Sequence, residues 1–118
     1  MIKNGVSEHA VEVVRVPGAF ELPVTAMRLA QSGRFDAVVC LGAVVRGDTP
    51  HFEFVSGECA RGLMEVGLMT GKPVIFGVLT TNTEQQALDR AGGSEGNKGA
   101  EAAEAALETL NALRTAGA

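Results

Sequence analysis

The histidine at position 51 has the surroundings that most favour chemistry in this sequence. Thr49 occupies a position typical of a helix N-cap, with Pro50 and then His51 as the first two helical residues, and Asp48 precedes them. The free amides of such a first turn and the positive end of the helix dipole attract anions, phosphate above all. The same field disfavours a protonated imidazole, so we expect His51 to be neutral near pH 7 and able to accept a proton.

A histidine beside an anion-binding helix start suggests a reaction type. A bound phosphate next to a neutral imidazole suits proton transfer on a small phosphorylated carbonyl compound. The alternative is that His51 has no role beyond its place in a well-capped helix. The spacing alone leaves both interpretations open.

Lys98 is a second candidate for contact with phosphate. It lies in the sequence GNKG at 96–99, at another predicted helix start, where a cation is disfavoured unless an anion is present. The alternative is a residue of a surface loop. Arg90 lies in the last turn of a short predicted helix, where it is placed to interact with the carbonyls of that helix end.

Other polar and aromatic side chains add little to these candidates. Phe20 and Phe76 could stack on a planar ring, although phenylalanine is more often a core residue. The carboxylates of Glu21 and Glu58 are not spaced as a pair for acid and base work, and His9 receives no role. The sequence has no histidine pair for a metal and no glycine-rich nucleotide motif, so we expect no metal and no cofactor.

The elements that must position these residues alternate between strand and helix patterns. Valine-rich stretches with strand spacing occupy residues 11–16, 37–45 and 74–79. Helical spacing and capping signals occupy residues 21–32, 50–70, 83–90 and 100–115, and the glycine-rich stretch 92–99 is predicted as a loop. This order predicts one α/β domain over residues 1–118, with a parallel sheet covered on both faces. Ligands of such sheets bind beyond the carboxyl ends of the strands, where His51 lies.

Composition and charge narrow the class of protein. The 118 residues carry a net charge of −4 and are 46% hydrophobic, which excludes a disordered chain and argues against nucleic-acid binding. Cys40 and Cys59 lack metal-ligand spacing, so we expect buried, reduced thiols. No apolar run is long enough to span a membrane, and the first residues do not resemble a signal peptide. We therefore expect a cytoplasmic protein.

Four motifs, taken in order, resemble the 6,7-dimethyl-8-ribityllumazine synthase family. They are VPGAFELP at 16–23, LGAVVRGDTPHF at 41–52, FGVLT at 76–80 and GNKG at 96–99. The resemblance implies a flavodoxin-like, three-layer α/β/α fold with strand order 2-1-3-4. It also implies a transferase of riboflavin biosynthesis that condenses 5-amino-6-(D-ribitylamino)uracil with 3,4-dihydroxy-2-butanone 4-phosphate. The implied products are 6,7-dimethyl-8-ribityllumazine, phosphate and water, and the implied reaction needs no cofactor.

The resemblance also implies a role for each candidate residue. His51 matches the family's proton-transfer histidine. The implied phosphate-binding residues are Asp48, Thr49, Arg90 and Lys98. The implied contacts of ribitylaminouracil are Ala19, Phe20, Glu21, Ala43, Val44, Val45 and Phe76. Phe76 matches a residue that reaches the site of a neighbouring subunit, so the implied pocket lies at an interface of a homopentamer.

The implied assembly extends in some family members to twelve pentamers in an icosahedral shell. The loop at 92–96 is short, as it is in shell-forming members, so the resemblance favours such a shell, and riboflavin synthase is a candidate partner. The alternative function is a non-catalytic flavin- or lumazine-binding protein, or a shell-forming protein, on the same fold.

The front of the chain departs from the family's pattern. The family begins with a strand, a loop bearing an aromatic residue and a helix, of which only a helix end at residues 1–4 is matched. That strand lies between those matching residues 11–16 and 37–45, so its absence leaves two strand edges unpaired. We therefore expect a gene fragment or an incomplete chain, or else a strand supplied by another chain.

Overall fold

Strands and helices alternate along most of the chain. The structure is a computed structural model that describes residues 8–47, 50–93 and 96–117. Within these residues the helices are α1 (Leu22–Gln31), α2 (His51–Thr70), α3 (Glu84–Arg90) and α4 (Lys98–Thr115). The strands are β1 (Val38–Val45), β2 (Val74–Thr81), β3 (Ala91–Gly93) and β4 (Gly96–Asn97). None of the helices in the described part of the chain is both long and apolar enough to cross a membrane.

The central sheet pairs β1 with β2 in parallel. The register runs from Val38 opposite Val74 to Val45 opposite Thr81. A hydrogen bond from Arg46 N to Thr81 O, at 2.8 Å, extends the pairing one residue beyond β1. A parallel pair needs a crossover connection, and α2 provides it. The predicted α/β architecture with a parallel sheet is therefore confirmed, while β3 and β4 form a separate antiparallel pair.

Helices cover both faces of the sheet. On one face, α1 and α2 pack against alternate residues of β1 to form the hydrophobic core. Its buried members are Ala26, Ala30, Val38, Cys40, Val44, Cys59, Leu63, Val66 and Val78. On the other face, α4 approaches β2 at Gly77, where an added Cβ atom would lie 3.0 Å from the Cβ atom of Ala102. Both cysteines are buried and free, as predicted.

Residues 11–16 do not form the predicted strand. Val13 and Val14 are 74% and 47% exposed, and this stretch has no strand partner among the described residues. The Glu12 carboxylate instead accepts a hydrogen bond from the guanidinium of Arg34 at 2.7 Å. Alternating valines indicate a side-chain preference for β structure. A strand also needs the backbone of a neighbouring strand to pair with. The parallel sheet in the described residues therefore has two strands rather than three, and the predicted helix end at residues 1–4 lies outside them.

The C-termini of α1 and α2 and the N-terminus of α3 lie where the sequence signals predicted them. Gly33 and Gly71 adopt positive φ, at 78° and 69°, where α1 and α2 end, a conformation that favours glycine. Thr83 caps α3 through its hydroxyl, which accepts from Gln86 N at 3.2 Å. The Gln86 side chain bonds back to the N-cap backbone, so the predicted capping box is confirmed.

The fourth helix begins earlier than predicted. It starts at Lys98 rather than Ala100, and Gly99 lies within its first turn. The Asn97 side chain caps the helix by accepting from Ala100 N at 3.0 Å. The prediction of a loop through residue 99 is wrong because a capped first turn tolerates glycine, and the preceding residues form β3 and β4.

Lys72 joins the end of α1 to the start of β2. Its ammonium group donates to the carbonyl oxygens of Ala30 and Phe35, each at 2.9 Å. Carbonyls at the end of a helix lack intrahelical partners and favour a cation. The two bonds therefore hold the connection between α1 and β1 beside the beginning of β2.

Candidate active site

A cleft lies at the carboxyl end of β1, where that strand leads into α2. Its volume is about 270 Å³. The residues that line it are Ala19, Ala43, Val44, Val45, Gly47, His51, Phe52 and Val55. Among the described residues of this lining, the imidazole of His51 is the one polar side chain, and the other side chains are small or apolar. Such a combination suits a flat ring and a proton transfer.

His51 is the first residue of α2. Pro50 takes the N-cap position, with φ −69° and ψ 3°, so the prediction of Thr49 as N-cap and His51 as second helical residue is wrong by one position. Asp48 and Thr49 lie outside the described residues. The carbonyl of Pro50 accepts from Glu53 N at 3.0 Å, which begins the helix immediately after the strand connection. His51 is exposed at the cleft and lies at the amide-rich start of a 20-residue helix.

The turn that carries Ala19 is fixed to α1. Residues Ala19–Glu21 form one turn of 3-10 helix, in which Glu21 N donates to Gly18 O at 3.2 Å. The Thr25 hydroxyl donates to Glu21 O at 2.9 Å, and Leu22 packs against the core. Ala19 thus reaches the cleft as part of a unit that includes the first turn of α1.

The structure brings five of the predicted site residues together. They are Ala19, Ala43, Val44, Val45 and His51. Phe20, Glu21 and Phe76 do not line the cleft. Phe20 is 59% and Phe76 is 38% exposed, so the alternative that either is a core residue is wrong.

The two predicted phosphate-binding cations also lie outside the lining of the cleft. The Arg90 guanidinium donates to Gln86 O at 3.2 Å, which is the contact with its own helix end that the sequence suggested. Lys98 is exposed as the first residue of α4. Their roles toward phosphate therefore stay predictions.

Three residues of the lining were not among the predicted site residues. Phe52 and Val55 are partly buried residues of α2 that pack against the hydrophobic core. Being within the first turns of α2, they also border the cleft beside His51. Gly47 lies two residues after the end of β1, and its place in the motif RGD at 46–48 is the signal that could have found it.

The cysteines do not supply a nucleophile. Burial raises the pKa of the Cys40 thiol from 9.0 to about 11, with a smaller contribution from Cys59. Burial also raises the pKa of Cys59. Both thiols are therefore protonated and unreactive near neutral pH. No group of three or more His, Cys, Asp or Glu residues that could hold a metal ion occurs in the described ranges.

The chain matches the model of a known protein family. Residues 1–114 match the family model described as 6,7-dimethyl-8-ribityllumazine synthase. The match covers all of the chain except its last four residues, and it includes every residue that lines the cleft. The parallel pair β1 and β2 with helices on both faces agrees with a flavodoxin-like α/β fold.

Proposed function

The chain belongs to the 6,7-dimethyl-8-ribityllumazine synthase family of riboflavin biosynthesis, and from that premise we propose the reaction and the site. The chain condenses 5-amino-6-(D-ribitylamino)uracil with 3,4-dihydroxy-2-butanone 4-phosphate. The products are 6,7-dimethyl-8-ribityllumazine, phosphate and water. The cleft at the end of β1 is the place where the pyrimidine ring binds.

The observation that carries this proposal is the position of His51. Its imidazole is the one polar side chain among the described residues that line the cleft, and His51 is the first residue of α2. The small and apolar side chains of the lining can contact a planar ring, while the helix start favours an anionic phosphate. His51 acts as the proton-transfer group, accepting a proton during the condensation and returning it when phosphate and water leave.

The remaining roles extend from the cleft to its surroundings. We assign ribitylaminouracil to the strand end Ala43–Val45 and to Ala19, Phe20 and Glu21. Phosphate is assigned to Asp48 and Thr49, with Arg90 and Lys98. Arg90 would exchange its present bond to Gln86 O for the phosphate, which an exposed guanidinium can do at little cost.

Phe76 is assigned to the pocket of a neighbouring subunit in a homopentamer. Its ring is partly exposed and does not line the cleft of its own chain, which supports a contact made across an interface. The same assignment means that the complete pocket needs an assembled protein.

A pair of histidine variants tests the proposed reaction. His51→Ala is expected to lower kcat by about 10²- to 10⁴-fold, the usual contribution of a positioned acid or base, and to leave the affinity for the phosphate substrate largely unchanged. His9→Ala is the matched control, because His9 lies outside the cleft lining and is exposed. Product formation is followed by lumazine absorbance above the spontaneous background. Equal rates for both variants would refute the role of His51, and tight lumazine binding without turnover by the parent chain would favour a non-catalytic binding protein.

A further inference from the structure

Helices α1 and α2 touch where α2 has no side chain. Gly62 is half-buried in α2, and a Cβ atom added there would lie 2.8 Å from Cγ and 2.9 Å from Cβ of Pro23. Non-bonded carbon atoms are at their optimum about 3.5–4.0 Å apart. The observed approach of the two helices therefore depends on glycine at position 62, and any larger residue would move Pro23 by about 1 Å.

A displacement of Pro23 reaches the cleft over a short path. Pro23 is the second residue of α1, and the backbone N–H of Leu22 donates to Ala19 O. The Thr25 hydroxyl also donates a hydrogen bond to Glu21 O at 2.9 Å. Ala19 lines the cleft together with Phe52 and Val55 of α2, so the unit that touches Gly62 also forms one wall of the cleft.

We propose that the contact between Gly62 and Pro23 sets the width of the cleft, and that Gly62 is a positioning residue for the ring-binding site. This inference rests on the proposed function of the cleft and adds a residue outside its lining. A planar ring fits between two walls only over a narrow range of separations. A shift of about 1 Å in one wall is enough to cost about 100-fold in rate.

The same helix contains a matched control. Gly57 is exposed in α2, and an added Cβ atom there would meet nothing within 4 Å. Gly57→Ala and Gly62→Ala thus make the same chemical change in the interior of one helix and gain the same helix propensity. They differ in the contact with Pro23.

The experiment uses the full chain and two readouts. Binding of 6,7-dimethyl-8-ribityllumazine is measured by fluorescence titration, and turnover by steady-state kinetics, for the parent, Gly62→Ala, Gly57→Ala and the double variant Pro23→Gly with Gly62→Ala. We expect Gly62→Ala to weaken lumazine binding at least about tenfold and to lower kcat/KM about 100-fold. Gly57→Ala stays within about twofold of the parent. The double variant, which lacks both Pro23 atoms that the new methyl group meets, recovers most of the loss.

Thermal unfolding of each variant separates positioning from stability. Gly62→Ala is expected to unfold cooperatively and to be fully folded at the assay temperature. The inference is overturned if Gly62→Ala binds like Gly57→Ala, if its loss follows only the unfolded fraction, or if the double variant recovers stability without binding. These results leave the proposed function intact when the parent turns over. A parent chain that neither binds lumazine nor forms it overturns the proposed function and this inference with it.

Discussion

Gly77 allows β2 to lie between β1 and α4, and replacing it with alanine is expected to destabilise the fold. An added Cβ atom would lie 2.7 Å from Leu41 Cδ2, 2.9 Å from Cys40 O and 3.0 Å from Ala102 Cβ. The Leu41 side chain is 55% exposed and can rotate away. The carbonyl of Cys40 belongs to the paired backbone of β1, and Ala102 Cβ is attached to the backbone of α4, so neither moves alone.

The expected cost follows from these fixed neighbours. Overpacking a core position costs about 1–3 kcal/mol, and the loss of backbone freedom in the unfolded chain returns about 0.4–1 kcal/mol. Gly77→Ala should therefore lower the free energy of unfolding by about 1–2 kcal/mol, and the midpoint of thermal unfolding by about 5–10 °C for a domain of this size.

Gly42→Ala is the control in the neighbouring strand. The nearest atoms to a Cβ atom there are Leu22 Cδ1 and Val78 Cγ2, both at 4.0 Å, which is ordinary contact. This variant should be as stable as the parent or more stable by about 0.5 kcal/mol. Far-ultraviolet circular dichroism suits the measurement because the chain has no Trp or Tyr. Equal stability of Gly77→Ala and the parent, or equal losses in both variants, would refute the packing interpretation.

Two further predictions concern the half-buried ammonium group of Lys72 and the buried cysteine thiols. Lys72→Met removes both hydrogen bonds, to Ala30 O and Phe35 O, and should lower the free energy of unfolding, measured in urea, by about 1.5–3 kcal/mol. Lys72→Arg should lower it less. An unchanged free energy of unfolding in Lys72→Met would show that water replaces the ammonium group. Burial raises the pKa of the Cys40 thiol from 9.0 to about 11, so between these pH values the thiol ionises in the unfolded chain but stays protonated in the folded one. The free energy of unfolding should therefore fall as the pH rises from about 9 to about 11. Cys40→Ala should flatten that part of the curve, and an unchanged slope, after allowance for Cys59, would contradict the assignment.

The sequence predicted those elements whose signals are local. Continuous valine-rich runs identified β1 and β2, and the pattern of Thr83 with Gln86 identified the start of α3. The valines at 11–16 carry the same local preference, yet they form no strand, because pairing depends on a neighbouring backbone that local pattern does not report. The start of α4 was misplaced for a related reason, since the Asn97 cap outweighs the low helix propensity of Gly99.

The sequence predicted those parts of the candidate site whose residues lie close together along the chain. Val45 and His51 are separated by five residues between a strand and a helix, so their joint presence at one cleft follows from strand order. The arrival of Ala19 at the same cleft is a tertiary contact, which the family resemblance also indicated. The approach of Gly62 to Pro23 has no sequence signal, since glycine within a helix has many possible reasons.

The cleft joins three stretches of the chain that are otherwise separate in sequence: Ala19, the end of β1 and the start of α2. A ligand that contacts all three stretches binds only the folded state of the chain. It therefore raises the free energy of unfolding by about 2.7 kcal/mol at a concentration 100 times its Kd. The same linkage acts on local opening of the Ala19 turn. The amide of Leu22, which donates to Ala19 O and belongs to a residue outside the lining of the cleft, should exchange its hydrogen more slowly as the cleft fills. Occupancy of the site can thus be read from an amide that the ligand does not touch.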